Sequence, residues 1–482
     1  MTEDDYIAFH GDLWQLLEKV EKGEMIPKTQ ASHAPMCKFM TAFFVLNGIR
    51  HVVPIVHGPT GCTLWVSNVI KRRECCESRG VPLEPTACTT LNESNVIYGG
   101  EGRLLEAIKE ADKRYHPDLI VVLSCCVSGI IGDDVETIAH EAEKSVSCRV
   151  LAVQSEGFGG DFRSGYEDAF RVLMDLMEPP KKKQEKTINI IGARMGPTIT
   201  EWDEDLDEIR RLLDEVGIKV NATMCAGCTL DEIKRAREVE LNASWCYDWG
   251  QKLGDLMQER FGIPYSRTGQ PYGLKATEEW LLGVARPLGM EKEALDVLRK
   301  ETEQVLPELD YMRRTLRGKT VLVEVQDSFG PIRALSIARM AEEFDAHPII
   351  LNVHPYTIKE RMPSIKYLLE TGFNPEVILT NGVFRLGSYY EMSETEEELE
   401  MLVRNYDNII YCGNSKRFPD CPVVNFSDFA RRPHYGFQGI KNIATLIKET
   451  IENRSLPRSK LIREVLYGGY KLIQEREVPH GR

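Results

Sequence analysis

The sequence predicts an α/β protein built from three doubly wound, Rossmann-like domains with parallel sheets. Three observations carry that expectation. The chain has 482 residues, too many for one hydrophobic core when domains run to roughly 100–200 residues. Leu119-Ile120-Val121-Val122-Leu123 is an unalternating aliphatic run, the pattern of a strand covered on both faces of a parallel sheet. Strand-like runs then alternate with amphipathic helical stretches along the rest of the chain, as strand, crossover helix and strand units require.

Residues 1–35 read as an N-terminal extension: a charged helical lead with Leu13, Leu16, Leu17 and Val20 at helical spacing, then a loop ending near Pro35. The first α/β domain, 36–180, contains the 119–123 strand. Residues 124–131 read as a loop, and Asp133-Asp134 open a helix carrying Val135, Ile138 and Ala139, because carboxylates are favoured at the positive end of the helix dipole. Residues 178–186 (EPPKKKQEK) form a linker, since prolines and like charges resist packing. A second domain, 187–315, opens with a strand at 187–191 and a helix at 205–216. A charged segment from about Arg299 to Lys319 leads into the third, 316–482, with strands at 321–325, 348–353, 377–380 and 408–411 and a closing helix at about 439–453. In such sheets ligands bind at the carboxyl ends of the strands.

Apolar residues at 42% and charged residues at 28% are ordinary for a globular chain. No apolar stretch approaches the ~20 residues needed to cross a bilayer, and residues 1–10 are acidic and polar, unlike a signal peptide. A cytoplasmic protein is expected. The formal net charge of −14 repels polyanions, so nucleic acid is not an expected partner. Thirteen cysteines cannot all pair, and reducing compartments disfavour disulfides. Buried thiols and metal ligands therefore compete.

Three cysteines occupy segments with turn chemistry. Cys37 follows Ala34-Pro35-Met36, Cys62 ends His57-Gly58-Pro59-Thr60-Gly61-Cys62, and Cys126 lies in Ser124-Cys125-Cys126-Val127-Ser128-Gly129, just past the buried strand. Neighbouring glycines let backbone N–H groups approach a cluster's sulfides, and the thiolate is the ligand form. None of the three forms a compact CxxC, so these residues alone leave metal ligation and structural thiols both open. Cys225 and Cys228 do form a CxxC, without a second pair, and read as structural thiols.

Taken in order, Cys37, HGPTGC (57–62), Tyr98-Gly99-Gly100-Glu101, SCCVSGIIGDD (124–134) and Ser155-Glu156-Gly157-Phe158 resemble the nitrogenase component 1 family of nitrogenase subunits, cofactor-assembly scaffolds and nitrogenase-like reductases. The resemblance runs from about Met36 to the C-terminal helix. It implies that Cys37, Cys62 and Cys126 are α-chain ligands of a P-cluster-type iron–sulfur cluster at a subunit interface. A slip of one residue would exchange Cys126 with Cys125. Three ligands from one chain are too few to enclose a large cluster, so the resemblance implies a β-type partner that supplies the rest, most simply in an α2β2 hetero-oligomer. Metal clusters are then expected between domains as well as at that interface.

The segment 241–249 (LNASWCYDW), followed by 259–264 (ERFGIP), is similar to the α-chain segment whose cysteine binds the terminal iron of the active-site cofactor. The resemblance makes Cys246 that ligand and the chain α-type. Val45 falls on a side chain that packs beside the cofactor, the alternative being an ordinary core valine. Two departures stand out. Asn425 or Phe426 stands where nitrogenase has a cofactor-binding histidine, and His434 is too close to the glycine turn to replace it. The family's proton-donating histidine is also missing; Arg163, Tyr166, Glu167 and Asp168 stand there, and Glu167 or Tyr166 takes the donor role unless Glu167 is a solvated helix residue. An all-iron, carbide-containing cofactor anchored by Cys246 therefore fits better than one with molybdenum.

The implied function is the α-type catalytic subunit of a reductase similar to methylthio-alkane reductases, which cleave carbon–sulfur bonds. The resemblance implies an ATP-dependent iron–sulfur reductase homodimer that delivers the electrons, and since no GxxxxGK[ST] loop occurs in this chain, nucleotide binding belongs to that partner. A non-catalytic scaffold for cofactor assembly and dinitrogen reduction proper are the alternatives.

Overall fold

The computed structural model describes residues 7–24, 37–71, 85–160, 162–193, 202–245, 247–324, 330–351, 362–380, 408–412, 422–424 and 433–452. The N-terminal lead does contain a helix, Leu13–Glu21, that buries Leu13, Leu16, Leu17 and Val20. Asp12 caps it, accepting from the Gln15 N–H at 2.8 Å while the Gln15 side chain accepts from the Asp12 N–H at 3.2 Å. The residues before it are a correction to the helical reading: β1 (Ile7–Asp12) is a strand. It lies antiparallel beside β11 (Glu376–Thr380), a partner too distant in sequence for local pattern to reveal.

The first α/β unit is a wholly parallel sheet of β2 (Val52–His57), β3 (Ala87–Cys88), β4 (Leu119–Ser124) and β5 (Arg149–Val153), in the order β3-β2-β4-β5. β2 and β4 are buried along their full length. Alternate residues feed two cores: Val52, Val56, Val121 and Leu123 belong to the main cluster, whereas Val53, Ile55, Ile120 and Val122 pack with Leu104, Ile108, Val135 and Ile138 in a smaller one. That division is why these strands show no polar alternation.

A second parallel sheet, β7-β6-β8, contains β6 (Thr187–Ile191), β7 (Lys219–Thr223) and β8 (Leu241–Ser244). The third, β1-β11-β10-β9-β12-β13, adds β9 (Thr320–Glu324), β10 (His347–Leu351), β12 (Ile409–Cys412) and β13 (Val423–Val424), all parallel except β1. All three sheets contribute to the main core, which runs without a break from Val52 through Ile188 to Val321 and Val377. Residues 178–186 are exposed throughout.

Two further readings change. The expected loop 124–131 contains the helix Cys126–Ile131, which ends at Gly132 in the left-handed region (φ +81°). A helix of one and a half turns is too short to show a period. The charged segment after Arg299 is the second half of the helix Glu291–Leu316, whose Val305, Leu309, Met312 and Leu316 form a buried stripe beneath the charges. No helix among the described residues is long and apolar enough to cross a membrane.

Candidate metal centre at the carboxyl end of the first sheet

β2, β4 and β5 are neighbours and end side by side, so the segments that leave their carboxyl ends meet. β2 leads to Gly58 and the helix Thr60–Lys71, which carries Cys62 in its first turn. β4 leads to Cys125 and to Cys126, the first residue of the short helix. β5 leads to Gly157 at the start of a 3-10 turn. The fourth contributor, Cys37, caps the helix Lys38–Leu46.

That last helix is buried at all nine positions and packs against the helix Phe162–Met174. A Cβ at Gly165 would collide with the Lys38 carbonyl, which explains a glycine at that crossing. Lys38, itself buried, pairs with Asp168 at 2.9 Å. The start of the helix, and Cys37 with it, is thereby held against the 157–160 turn.

Gly157 lies between two of the thiols. Its N–H donates to Cys126 Sγ at 3.2 Å, and a Cβ there would come within 3.1 Å of Cys126 Sγ and 3.3 Å of Cys37 Cβ. Gly58 serves Cys125 in the same way, since its Cβ would lie 2.6 Å from that of Cys125. Burial pushes the Cys37 thiol up, opposed by backbone N–H groups of Met40 and Phe39. Cys62 and Cys125 share a hydrogen bond: it draws Cys62 down to about 7 and, with burial, pushes Cys125 up.

The frame around the thiols is hydrogen-bonded throughout. His57, fully buried, bonds Asp133 at 2.9 Å and Thr89 at 3.2 Å. Burial holds His57 below its ordinary value against the pull of Asp133. Asp133 also accepts the Gly100 N–H at 3.0 Å, so the HGPTGC, YGGE and GIIGDD motifs are tied into one structure. Ser124 and Ser155 bond each other's backbone, and Ser124 donates to Glu156, which seals the ends of β4 and β5.

A further cysteine, Cys88, which the sequence reading did not single out, lies beside Gly58. Half-buried on β3, it accepts the Thr90 N–H at 3.3 Å and faces the Gly58 carbonyl at 3.7 Å. A two-residue strand offers no pattern from which to find it. Soft thiolates select zinc, copper(I) or iron–sulfur clusters. Among the described residues no group of three or more His, Cys, Asp or Glu side chains is placed to hold a single metal ion.

A family model described as nitrogenase component 1 type oxidoreductase matches residues 37–452. The chain belongs to that family. It is 27% identical to a nitrogenase iron-molybdenum cofactor biosynthesis protein NifE of Methanosarcina barkeri, over 93% of this chain and 96% of that one. It is 34% identical to the NifE of Clostridium pasteurianum over 61% and 64%. It is also 25% identical to a nitrogenase molybdenum-iron protein alpha chain of Methanothermobacter marburgensis, over 86% and 87%. In three dimensions it superimposes on nitrogenase Cp1 at pH 6.5 with a TM-score of 0.66, 20% identity and coverage of 89% and 90%, which shows the shared fold.

Within this nitrogenase component 1 type chain the other expected site residues fall as follows. Cys246 and Asn425 lie outside the described residues. Trp245, next to Cys246, is buried; its ring meets Tyr435 at 4.8 Å, and Tyr435 meets Tyr272 at 4.7 Å. The backbone N–H groups of His434 and Tyr435 both donate to Asp205. The end of β8 and the C-terminal segment are thus brought together. Val45 is fully buried in the main core. Tyr166 is buried with its hydroxyl 3.4 Å from the Ala193 carbonyl, Arg163 is half-buried on the same helix, and Glu167 bonds Arg171 at 2.6 Å and lies 3.8 Å from Lys252. Cys225 and Cys228 are buried, and burial pushes Cys228 up to about 12 and Cys225 well above its ordinary value, as structural thiols require.

Proposed function

We propose that this chain is the α-type subunit of a nitrogenase-like reductase and that electrons enter it through an iron–sulfur cluster held at Cys37, Cys62 and Cys126. One observation carries this reading: Cys37 and Cys126, from separate stretches of sequence, meet at Gly157 at the carboxyl edge of the first sheet, and Cys62 lies in the first turn of the helix that follows the neighbouring strand β2. The cluster would supply one-electron storage. The chain's own part is to position the sulfurs, to direct the N–H groups of Gly157, Met40 and Phe39 at them, and to leave room at Gly58 and Gly157. Leu64, Ile97, Tyr98, Ile130 and Phe158 stand exposed on the elements around the thiols. Exposed apolar side chains so placed mark a protein contact, and we assign them to a β-type partner in an α2β2 assembly.

In this reading Cys246 anchors an all-iron, carbide-type cofactor, with Asn425 near its far end and Val45 limiting access to it. Glu167, Tyr166 and Arg163 serve proton delivery, and a homodimeric, ATP-dependent iron–sulfur reductase supplies the electrons. The substrate class we favour is the methylthio-alkanes, reduced by carbon–sulfur cleavage. The test is turnover by the anaerobically isolated complex with that reductase and ATP: methane-forming or thiol-forming cleavage is expected, and its absence would reject the substrate.

The similarity to NifE proteins, whose name assigns them to iron–molybdenum cofactor biosynthesis, favours a second reading, an assembly scaffold. A scaffold would transfer its bound iron to a cluster-free nitrogenase alpha chain and would not turn substrate over. Ammonia formation from dinitrogen would instead support nitrogenase activity itself.

A further inference from the structure

We propose that Asp205 and Glu208 are positioning residues: from the helix Trp202–Val216 they hold the start of the C-terminal helix Gly436–Glu452, so that the Tyr435 ring braces Trp245. Trp245 immediately precedes Cys246, and the proposal rests on the reading of Cys246 as the cofactor's anchor. Both carboxylates are almost wholly buried. Asp205 Oδ1 accepts the N–H groups of His434 and Tyr435, the latter at 2.9 Å, and Glu208 Oε1 accepts those of Phe437 and Gln438 at 3.1 Å each.

The first N–H groups of a helix have no partner within it, and a carboxylate there also suits the dipole. Such caps ordinarily come from adjoining residues, whereas these lie 229 residues back along the chain. They therefore fix where the helix starts as well as stabilising it. Arg211 secures Glu208 through two bonds of 2.8 and 3.0 Å and reaches on to Glu301 at 2.8 Å. The turn is shaped to the contact: Gly436 has φ +67°, and a Cβ there would lie 2.8 Å from Glu208 Cγ. Its N–H donates to the Pro271 carbonyl at 3.1 Å. The Tyr435 ring thereby meets both Tyr272, at 4.7 Å, and Trp245, at 4.8 Å. The backbone just before Trp245 is held independently, since Trp280 Nε1 and Thr268 Oγ1 donate to the Ser244 carbonyl at 2.8 and 3.2 Å. The ring contact is what the C-terminal segment adds to the grip on this strand end.

The full chain as isolated, reduced and depleted of iron by a chelator, is treated with iodoacetamide, and alkylation of Cys246 is followed by peptide mass spectrometry. Cys225 and Cys228, both buried, report any general loosening in the same sample. Asp205→Ala and Tyr435→Ala should each speed alkylation of Cys246 by about fivefold or more, because losing these contacts opens the segment locally. Asp205→Asn keeps an oxygen that accepts both N–H groups, and Tyr435→Phe keeps the ring; both should stay within about twofold of the natural sequence. Should Asp205→Ala fail to fold, Tyr435→Ala leaves both carboxylates in place and decides the matter. A natural rate in Tyr435→Ala, equal rates in Tyr435→Phe and Tyr435→Ala, or a parallel rise at Cys225 and Cys228 would overturn the proposal. Undiminished iron in Cys246→Ser would reject the cofactor reading alone, because thiol reactivity is read without iron.

Discussion

Two groups of thiols in this chain sit in opposite surroundings. Cys225 and Cys228, close together in sequence, follow β7 into the core, where burial keeps both protonated. Cys37, Cys62 and Cys126 come from separate segments and remain half-buried, and Cys37 and Cys126 meet at Gly157, whose N–H donates to Cys126 Sγ. Compact spacing accompanies the fully buried pair and dispersed spacing the candidate centre. Thiolate chemistry follows the local field and access at sulfur, not proximity along the chain.

The sharpest way to break this contrast is Asp133→Ala. It leaves the buried His57 ring and the Gly100 N–H without their acceptor, each worth about 1–3 kcal/mol. Denaturant unfolding should show that loss, and iron uptake should fall with it, because His57 leads directly into the Gly58 segment. Normal iron uptake would show that the thiols do not depend on this frame. Gly58→Ala comes next: overpacking against Cys125 should cost about 1–3 kcal/mol and lower iron uptake in the same sample.

Gly227→Ala probes the other group. Gly227 sits at φ +82° between Cys225 and Cys228, a conformation costing a residue with a Cβ about 1–2 kcal/mol. Stability should drop while iron uptake stays at the natural level; a parallel loss of iron would erase the distinction. The smallest effect is one of pH. The folded pKa of Cys228 is raised to about 12, so this thiol neither helps nor harms stability below the unfolded value of about 8.5. Above it the unfolded chain loses a proton that the folded chain keeps, and stability falls by about 0.8 kcal/mol at pH 9. Cys228→Ala should flatten that decline, as measured by unfolding at pH 8 and pH 9.

Much of the architecture was legible. β2, β4 and β6 are buried over their whole length, and burial on two faces writes an aliphatic run that needs no partner to be read. β1 escaped because its pairing with β11 is set by a segment far along the chain, and the helix Cys126–Ile131 because it is too short for periodicity. At the site, the motif glycines and cysteines were readable from the resemblance. The buried His57–Asp133 bond was not, because it joins two loops far apart in the chain.

Residue order alone was enough to specify parallel strands, their succession and the identity of the sulfur-bearing segments, since these follow from local hydrophobic pattern and from motifs. Which sulfurs become neighbours was settled by folding: adjacent parallel strands end on the same side of a sheet, and hydrogen bonds among the loops beyond them set the spacing. Such contacts join residues far apart in the chain, and short-range pattern carries no record of them.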